Sequence, residues 1–414
     1  MRGTRPFLAM RSTFRSMAVR DFRVFVTGHT VSQTGTWMQR LAVIWAVFEI
    51  TDSGTAVGVA SACLFGPAIV LSPLAGLVAD RRESRSLLVA TKVGLVLSAV
   101  VLAAVAFSHP STPAPYLMAA LLFGVVETFD IPVRMMFVGA LVDREDLSNA
   151  VGLNSSAMNG SRIVGPALGG ALISGAGVEW CFAVNIGLGA IVLASMLTIR
   201  TRSQPDTPLA PDRRMLLGFG VAWREPMMRA SLLAYTVVGV FAIVFPVTLP
   251  LFAERSLGGG PETFTLLFSA LSLGAIAGGL VVARRTMPGR GFLGASSIAT
   301  AFTMAALAAS NSVVAAALAA VTVGAATMAF MGGVVTVVQL NAPAATRGRV
   351  LALVSMVGIG SRAVGGPILG VVIDTINARA SLFLGAAVSG VVGVWLLLST
   401  SRASRHVTTQ PAAP

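Results

Sequence analysis

Runs of about twenty mostly apolar residues recur along the whole chain, and nothing else narrows its possible folds as much. A helix needs roughly 20 apolar residues to cross a bilayer. In lipid, every backbone N–H and C=O must be paired within the protein, which leaves helices or closed barrels. The runs are continuous rather than alternating, so they predict helices. The chain is 55% hydrophobic and 11% charged, with mean hydropathy +0.81; soluble domains carry about 25% charged residues. The expected fold class is an all-α membrane protein with twelve transmembrane helices.

The first six spans fall near residues 24–49, 55–79, 87–107, 116–141, 149–174 and 179–199. The second six fall near 229–252, 263–283, 291–309, 313–340, 349–374 and 380–400. The domains expected are an N-terminal cytoplasmic segment (1–23), a six-helix bundle (24–199), a linker (200–228), a second bundle (229–400) and a disordered tail (401–414). The linker is rich in proline and arginine and ends in GFGVAWREP, which reads as a short surface helix. Met10, Phe14 and Met17 in the first segment read either as an apolar stripe on the membrane surface or as part of a plain tail.

The net charge of +13 follows from topology rather than from nucleic acid. Arg81, Arg82 and Arg85, the linker arginines, Arg284, Arg285 and Arg290, and Arg347 and Arg349 all fall on one side of the predicted spans. The other side offers little beyond Arg255 and Arg379, with Asp374 placed to pair with Arg379. Short arginine-rich loops face the cytoplasm, so both termini are expected there, in a multi-pass protein of the cell membrane. Trp180 suits the outer interface. No cleavable signal peptide is visible. Cys63 and Cys181 lie in different predicted helices and fit neither a disulfide framework nor a metal cluster. His29, His109 and His406 form no triad or metal site, and no phosphate-binding loop occurs. The chain reads as no enzyme, with no cofactor and no metal, and as a monomer whose partners are the bilayer, protons and a small molecule.

Two stretches are written twice. GSRIVGPALGG (Gly160–Gly170) is echoed by GSRAVGGPILG (Gly360–Gly370), and GLVADRR (Gly76–Arg82) by GLVVARR (Gly279–Arg285). Both separations are close to half the chain, so the bundles are expected to be parallel copies. Duplication of this kind suits transporters that bind substrate between two rocking halves. The chain is similar to the major facilitator superfamily in these same segments. Gly76, Asp80, Arg81 and Arg85, with Ala79, resemble its cytoplasmic signature loop, although Glu83 and Ser84 depart from the pattern. Gly165, Pro166, Gly169 and Gly170 resemble the helix-five motif of the family's antiporters, with an earlier glycine displaced to Gly160. WMQ (Trp37–Gln39), FDIPVR (Phe129–Arg134), the stretch Arg144–Pro166 and QLNAPAATRGRV (Gln339–Val350) are similar to the branch of drug and siderophore exporters resembling the enterobactin exporter. The resemblance implies two pseudo-symmetric six-helix bundles, with spans one, four, seven and ten lining a cavity and three, six, nine and twelve facing lipid.

Charge inside the spans is sparse. An arginine in an apolar helix costs roughly 2.5–3.5 kcal/mol on insertion scales and marks a functional site by default. Glu127, Asp130 and Arg134 share one face of span four, with Pro132 loosening the backbone among them. A Glu held between burial and a neighbouring arginine can load and release a proton, and a static ion pair is the plainer alternative. Asp130 is also expected within reach of Arg81 or Arg85, as a cytoplasmic gate. Gln33, Trp37 and Arg40 on span one, and Asn159 and Arg162 (with Ser155) on span five, read as cavity lining or as glue between helices. Arg162 and its echo Arg362 have the further option of bonding carbonyls freed by the nearby prolines. Lys92, about a turn from the cytoplasmic end of span three, is expected to snorkel. Gly165 with Gly169, Gly366 with Gly370, and Gly274 with Gly278 have the spacing of close helix contacts.

Proton-driven export of a small amphipathic compound is therefore expected. A symporter that imports a polar solute and a non-transporting receptor are the alternatives.

Overall fold

The computed structural model describes residues 15–81, 83–143, 145–199, 215–284, 288–343 and 347–407. The first fourteen residues, most of the linker and the last seven residues lie outside them, as do the side chains of Asp80, Arg81, Ser155 and Asn159. The described residues form helices. A 3-10 turn, Arg15–Ala18, leads into α1 (Arg20–Thr51), α2 (Gly54–Phe65), α3 (Pro67–Arg81), α4 (Ser84–Phe107), α5 (Ala114–Ala140), α6 (Leu147–Ala176) and α7 (Val178–Thr198). The short α8 (Met215–Arg224) falls where the surface helix is expected. Then come α9 (Pro226–Ala242), α10 (Phe245–Leu257), α11 (Pro261–Ala283), α12 (Arg290–Ala309), α13 (Val313–Asn341), α14 (Arg347–Thr375) and α15 (Ala378–Val407). The last helix runs past Ser401, where the tail was expected to begin.

Among the described residues, ten segments are long and apolar enough to cross a membrane. Two of them are helix pairs: α2 with α3 (Gly54–Ala79), and α9 with α10 (Pro226–Leu257). The α9–α10 break falls at Ile243 and Val244, both outside helical geometry, just ahead of Pro246. Proline cannot donate to the helical ladder, so it settles at a first turn. α10 ends on Gly258, whose left-handed φ of 66° lets the N–H of Gly258 reach Glu254 O and that of Gly259 reach Ala253 O. Glycine takes this conformation without a Cβ penalty. The other two long helices of the first unit, α1 and α6, are interrupted by polar residues such as Gln33, Arg40 and Arg162.

By packing, the chain divides into two units: residues 1–50 with 67–211, and 51–66 with 212–414. In the first, α1 and α3–α7 converge on Phe22, Phe25, Leu88, Val133, Phe137, Ala150 and Met196, all buried. Gly165 and Gly169 of α6 pass close to α1: a Cβ at Gly165 would overlap Thr34 O and the Trp37 side chain. Ser161 of α6 donates to Thr30 O of α1 at 3.0 Å. A polar tie, Asn185 Nδ2 to Gln39 Oε1 at 2.7 Å, links α7 to α1.

In the second unit, small residues bring backbones together in pairs. Gly274 and Gly278 of α11 face Val321 and Ala325 of α13, and Gly324 returns the contact against Leu271. Gly54 and Gly58 of α2 face Gly370 and Gly366 of α14. That seam explains why α2 packs with the second unit, whereas the sequence placed residues 51–66 wholly within the first bundle. The α2 N-terminus is capped by Ser53, whose Oγ accepts from Ala56 N at 3.3 Å. The Asp374 carboxylate also accepts from Gly54 N at 2.7 Å and Thr55 N at 2.8 Å. Arg255 completes the group, with Nη2 3.1 Å from Asp52 and Nη1 3.3 Å from Asp374. The expected Asp374–Arg379 pair is thus replaced: Arg379 donates to Ala308 O and Ser256 O instead.

Candidate functional site

The first unit gathers its charges into two centres, both reaching α5. Helical spacing places Glu127, Asp130 and Arg134 on one face of α5, and all three are buried. The residues they meet come from α1 and α4.

At the first centre, Arg40 of α1 forms an ion pair with Glu127 of α5 through its Nη2. Both side chains are about nine-tenths buried, with 10% and 11% of their surface exposed. The Arg40 guanidinium lies 4.5 Å from the centroid of Trp37 and 5.8 Å from that of Phe123. Arg162 of α6 approaches the same Trp37 ring at 5.1 Å. Trp37 therefore lies within cation–π range of two guanidinium groups. Its buried indole Nε1 has no hydrogen-bond partner among the described residues. Trp37, Arg40 and Arg162, predicted for a cavity, are thus close neighbours in space, and Gln33 is buried on the same helix.

At the second centre, Asp130 is shared by two cations. Lys92 Nζ lies 2.9 Å from one carboxylate oxygen, and Arg134 Nη1 lies 3.1 Å from the other. Thr91 Oγ1 donates to the same carboxylate at 3.0 Å. Lys92 and Asp130 side chains are each only 1% exposed. The expected snorkelling of Lys92 gives way to an inward-pointing ammonium, because a buried carboxylate offers it more than the distant headgroups do. Arg85, a sequence candidate to partner Asp130, donates instead to Met196 O at 3.3 Å. Gly76 lies on α3 with nothing near its Cα for a Cβ to meet, and the side chains of Asp80 and Arg81 are outside the described set.

Arg362 belongs to the second unit. Its Nη1 donates to Gly358 O, one turn back on α14, at 2.8 Å, and its guanidinium lies 5.9 Å from the Phe65 ring. Ser61 Oγ donates to Arg362 O at 3.3 Å. This arrangement is local to the α2–α14 seam. Among the described residues no group of His, Cys, Asp and Glu could hold a metal ion.

The sequence pointed to Lys92 only as a snorkelling residue and did not point to Phe123 at all. The available signal was the ladder of three charges on α5, Glu127, Asp130 and Arg134, whose two carboxylates its one arginine does not balance. A partner had to come from a neighbouring helix.

The arrangement can hold charge out of water and change its pairing, and it offers an aromatic face and an indole donor beside two cations. It has no nucleophile-and-base pair of the kind that bond-making requires. A family model described as transmembrane secretion effector matches residues 11–412. The staphyloferrin A transporter of Staphylococcus aureus is 23% identical over 253 residues, 60% of this chain and 63% of that protein. The enterobactin exporter EntS of Shigella flexneri is 24% identical over 275 residues, covering 63% and 62%. Macrolide efflux protein A of Streptococcus pyogenes is 24% identical over 267 residues, covering 63% and 65%. The chain thus aligns with less than two thirds of the length of these curated relatives. Among solved structures, the nucleoside transporter NupG superposes with a TM-score of 0.68 at 15% identity, covering 92% of this chain and 98% of that one. A POT family transporter in complex with 5-aminolevulinic acid gives 0.74 at 11% identity, covering 92% and 96%. These two share the fold. The chain belongs to the transmembrane secretion effector family of the major facilitator superfamily, a family of multi-pass membrane transporters rather than enzymes.

Proposed function

We propose that this protein is a secondary transporter that exports a small amphipathic compound, such as a drug, siderophore or secondary metabolite, in exchange for protons. Its membrane domain consists of twelve spans, counting α1 and α6, with both termini in the cytoplasm. The observation that carries the reading is the Arg40–Glu127 pair against Trp37 and Phe123. An ion pair this deep in apolar helices costs desolvation energy that a purely structural contact between apolar side chains avoids. A ligand with an anionic or polar group on an apolar frame fits the aromatic face and draws Arg40 toward itself. Glu127 then loses its counter-charge and takes up a proton. Release of the ligand restores the pair and expels the proton. Asp130 and Arg134, one turn and two turns further along α5, serve the same coupling. The likeness to siderophore and macrolide transporters supports export of such compounds.

The energetics allow this without ATP. One charge moving through 100 mV supplies about 2.3 kcal/mol. That supports a gradient of roughly fifty-fold per proton, since each 1.4 kcal/mol is tenfold.

The test is efflux from cells lacking their own pumps, screened against a panel of drugs and siderophores. Glu127→Gln is expected to abolish efflux against a gradient while leaving ligand binding intact. Undiminished uphill efflux in that variant removes Glu127 from coupling. Substrate moving with protons in sealed vesicles, rather than against them, replaces export by symport.

A further inference from the structure

Among the described residues, the second charge centre holds one cation too many. On α5, Glu127 is matched by Arg40 of α1. Asp130 is faced by both Arg134 and Lys92. From the remaining side, α1 contributes His29, a fully buried ring stacked on Phe25 at 5.6 Å. Lys92 and Arg134 are the cations whose charge reaches that ring. The histidine brings no negative charge, and neither of its ring nitrogens has a hydrogen-bond partner among the described residues. The charges acting on Lys92 are therefore Asp130 and Glu127 on one hand and Arg134 on the other, with Glu127 already committed. With Lys92 as an ammonium, the centre carries an uncompensated positive charge in a site closed to solvent. Burying an unmatched ion is strongly unfavourable.

The excess can leave by only one route. A guanidinium does not lose its proton in proteins. An ammonium does, and buried lysines change charge readily. Deprotonation leaves a neutral amine beside a balanced Asp130–Arg134 pair. A way out for the proton adjoins the site. A cavity of about 10 Å³ is lined by Lys92 together with Ser32, Thr36, Phe123 and Asn185. That volume is enough for about one water, and three of those neighbours carry groups that can bond it.

We propose that Lys92 is a site that carries the exchanged proton, giving it to a water in this cavity and recovering it during the transport cycle. The step balances: the ammonium N–H breaks, the proton passes to the water oxygen, and the nitrogen keeps the electron pair as a neutral amine. The inference deepens the antiport reading given above and rests on it. Lys92, reaching Asp130 of α5 from α4, and Glu127, one turn back on α5, then act in series.

Lys92 is the only lysine in the chain, which makes its side chain separately visible. Protein grown with lysine labelled with carbon-13 at Cε gives one such signal by NMR. In wild-type protein this signal is expected to report both ammonium and amine forms over the pH range in which transport operates. A signal that stays at the ammonium position throughout overturns the proposal. The companion measurement is transport of radiolabelled erythromycin in proteoliposomes, with and without an imposed proton gradient. Lys92→Arg keeps the charge but blocks its release. It is expected to retain downhill flux and lose the accumulation that the gradient drives, as is Lys92→Met. Gradient-driven accumulation as large in Lys92→Arg as in wild type overturns the proposal. Should either variant fail to fold, the wild-type NMR signal decides alone. Wild-type flux that ignores the proton gradient would overturn the antiport reading itself, and this proposal with it. Loss of coupling in Glu127→Gln but not in Lys92→Arg overturns only the role of Lys92.

Discussion

Removing one member of the Arg40–Glu127 pair leaves the other as an uncompensated charge among apolar side chains. Breaking a buried pair from one end costs about 3–5 kcal/mol, while replacing both ends by apolar residues is often neutral or better. Arg40→Leu alone is therefore expected to lower thermal stability in detergent, and Arg40→Leu with Glu127→Leu to recover most of it while remaining inactive in efflux. A double variant no more stable than Arg40→Leu would show that the pair is not the source of the loss. The residues of this centre were largely readable from sequence, because Trp37 and Arg40 sit three apart on one helix, and Glu127 stands out in an apolar run. Lys92 was not readable as a partner. Its distance along the span suggested the membrane boundary, and only the approach of α4 to α5 turns it inward onto Asp130.

At the scale of elements, helix contacts in this protein depend on the absence of side chains. A Cβ at Gly324 of α13 would collide with the backbone of Leu271 and Ala275 on α11, which cannot swing aside as a flexible side chain can. Overpacking typically costs about 1–3 kcal/mol. Gly324→Leu is expected to lose at least that much stability in detergent melting, whereas Gly187→Leu, where a Cβ would meet nothing among the described residues, should have little effect. Equal losses at the two positions would argue that helix propensity, not close packing, sets the cost. Sequence spacing revealed Gly274 and Gly278 as a contact face, but not Gly324, which lacks the repeated pattern. Helix extents were legible to within a few residues, since apolar length is imposed by the bilayer. The interruptions at Gly66 and Val244 were not. A break in a helix leaves hydropathy unchanged, so the two interrupted spans read as continuous.

For the molecule as a whole, arginine asymmetry predicts an orientation that can be checked directly. With Cys63 and Cys181 replaced by serine, Ser111→Cys is expected to react with a membrane-impermeant maleimide in intact cells. Ser203→Cys is expected to react only after permeabilisation. The reverse pattern would invert the topology and with it the meaning of export. Sequence determined the membrane class, the positions of the apolar segments and the presence of paired motifs in the two halves. These follow from local quantities: apolar length, loop charge and residue spacing along one chain. Tertiary structure alone decided which cation meets which carboxylate, and that α2 packs along α14. Those outcomes depend on distances between residues far apart in the chain, where close backbone approach and the cost of a buried unpaired charge select one arrangement. The surplus positive charge around Asp130 belongs to that second kind: it emerges only when α4 and α5 are brought side by side.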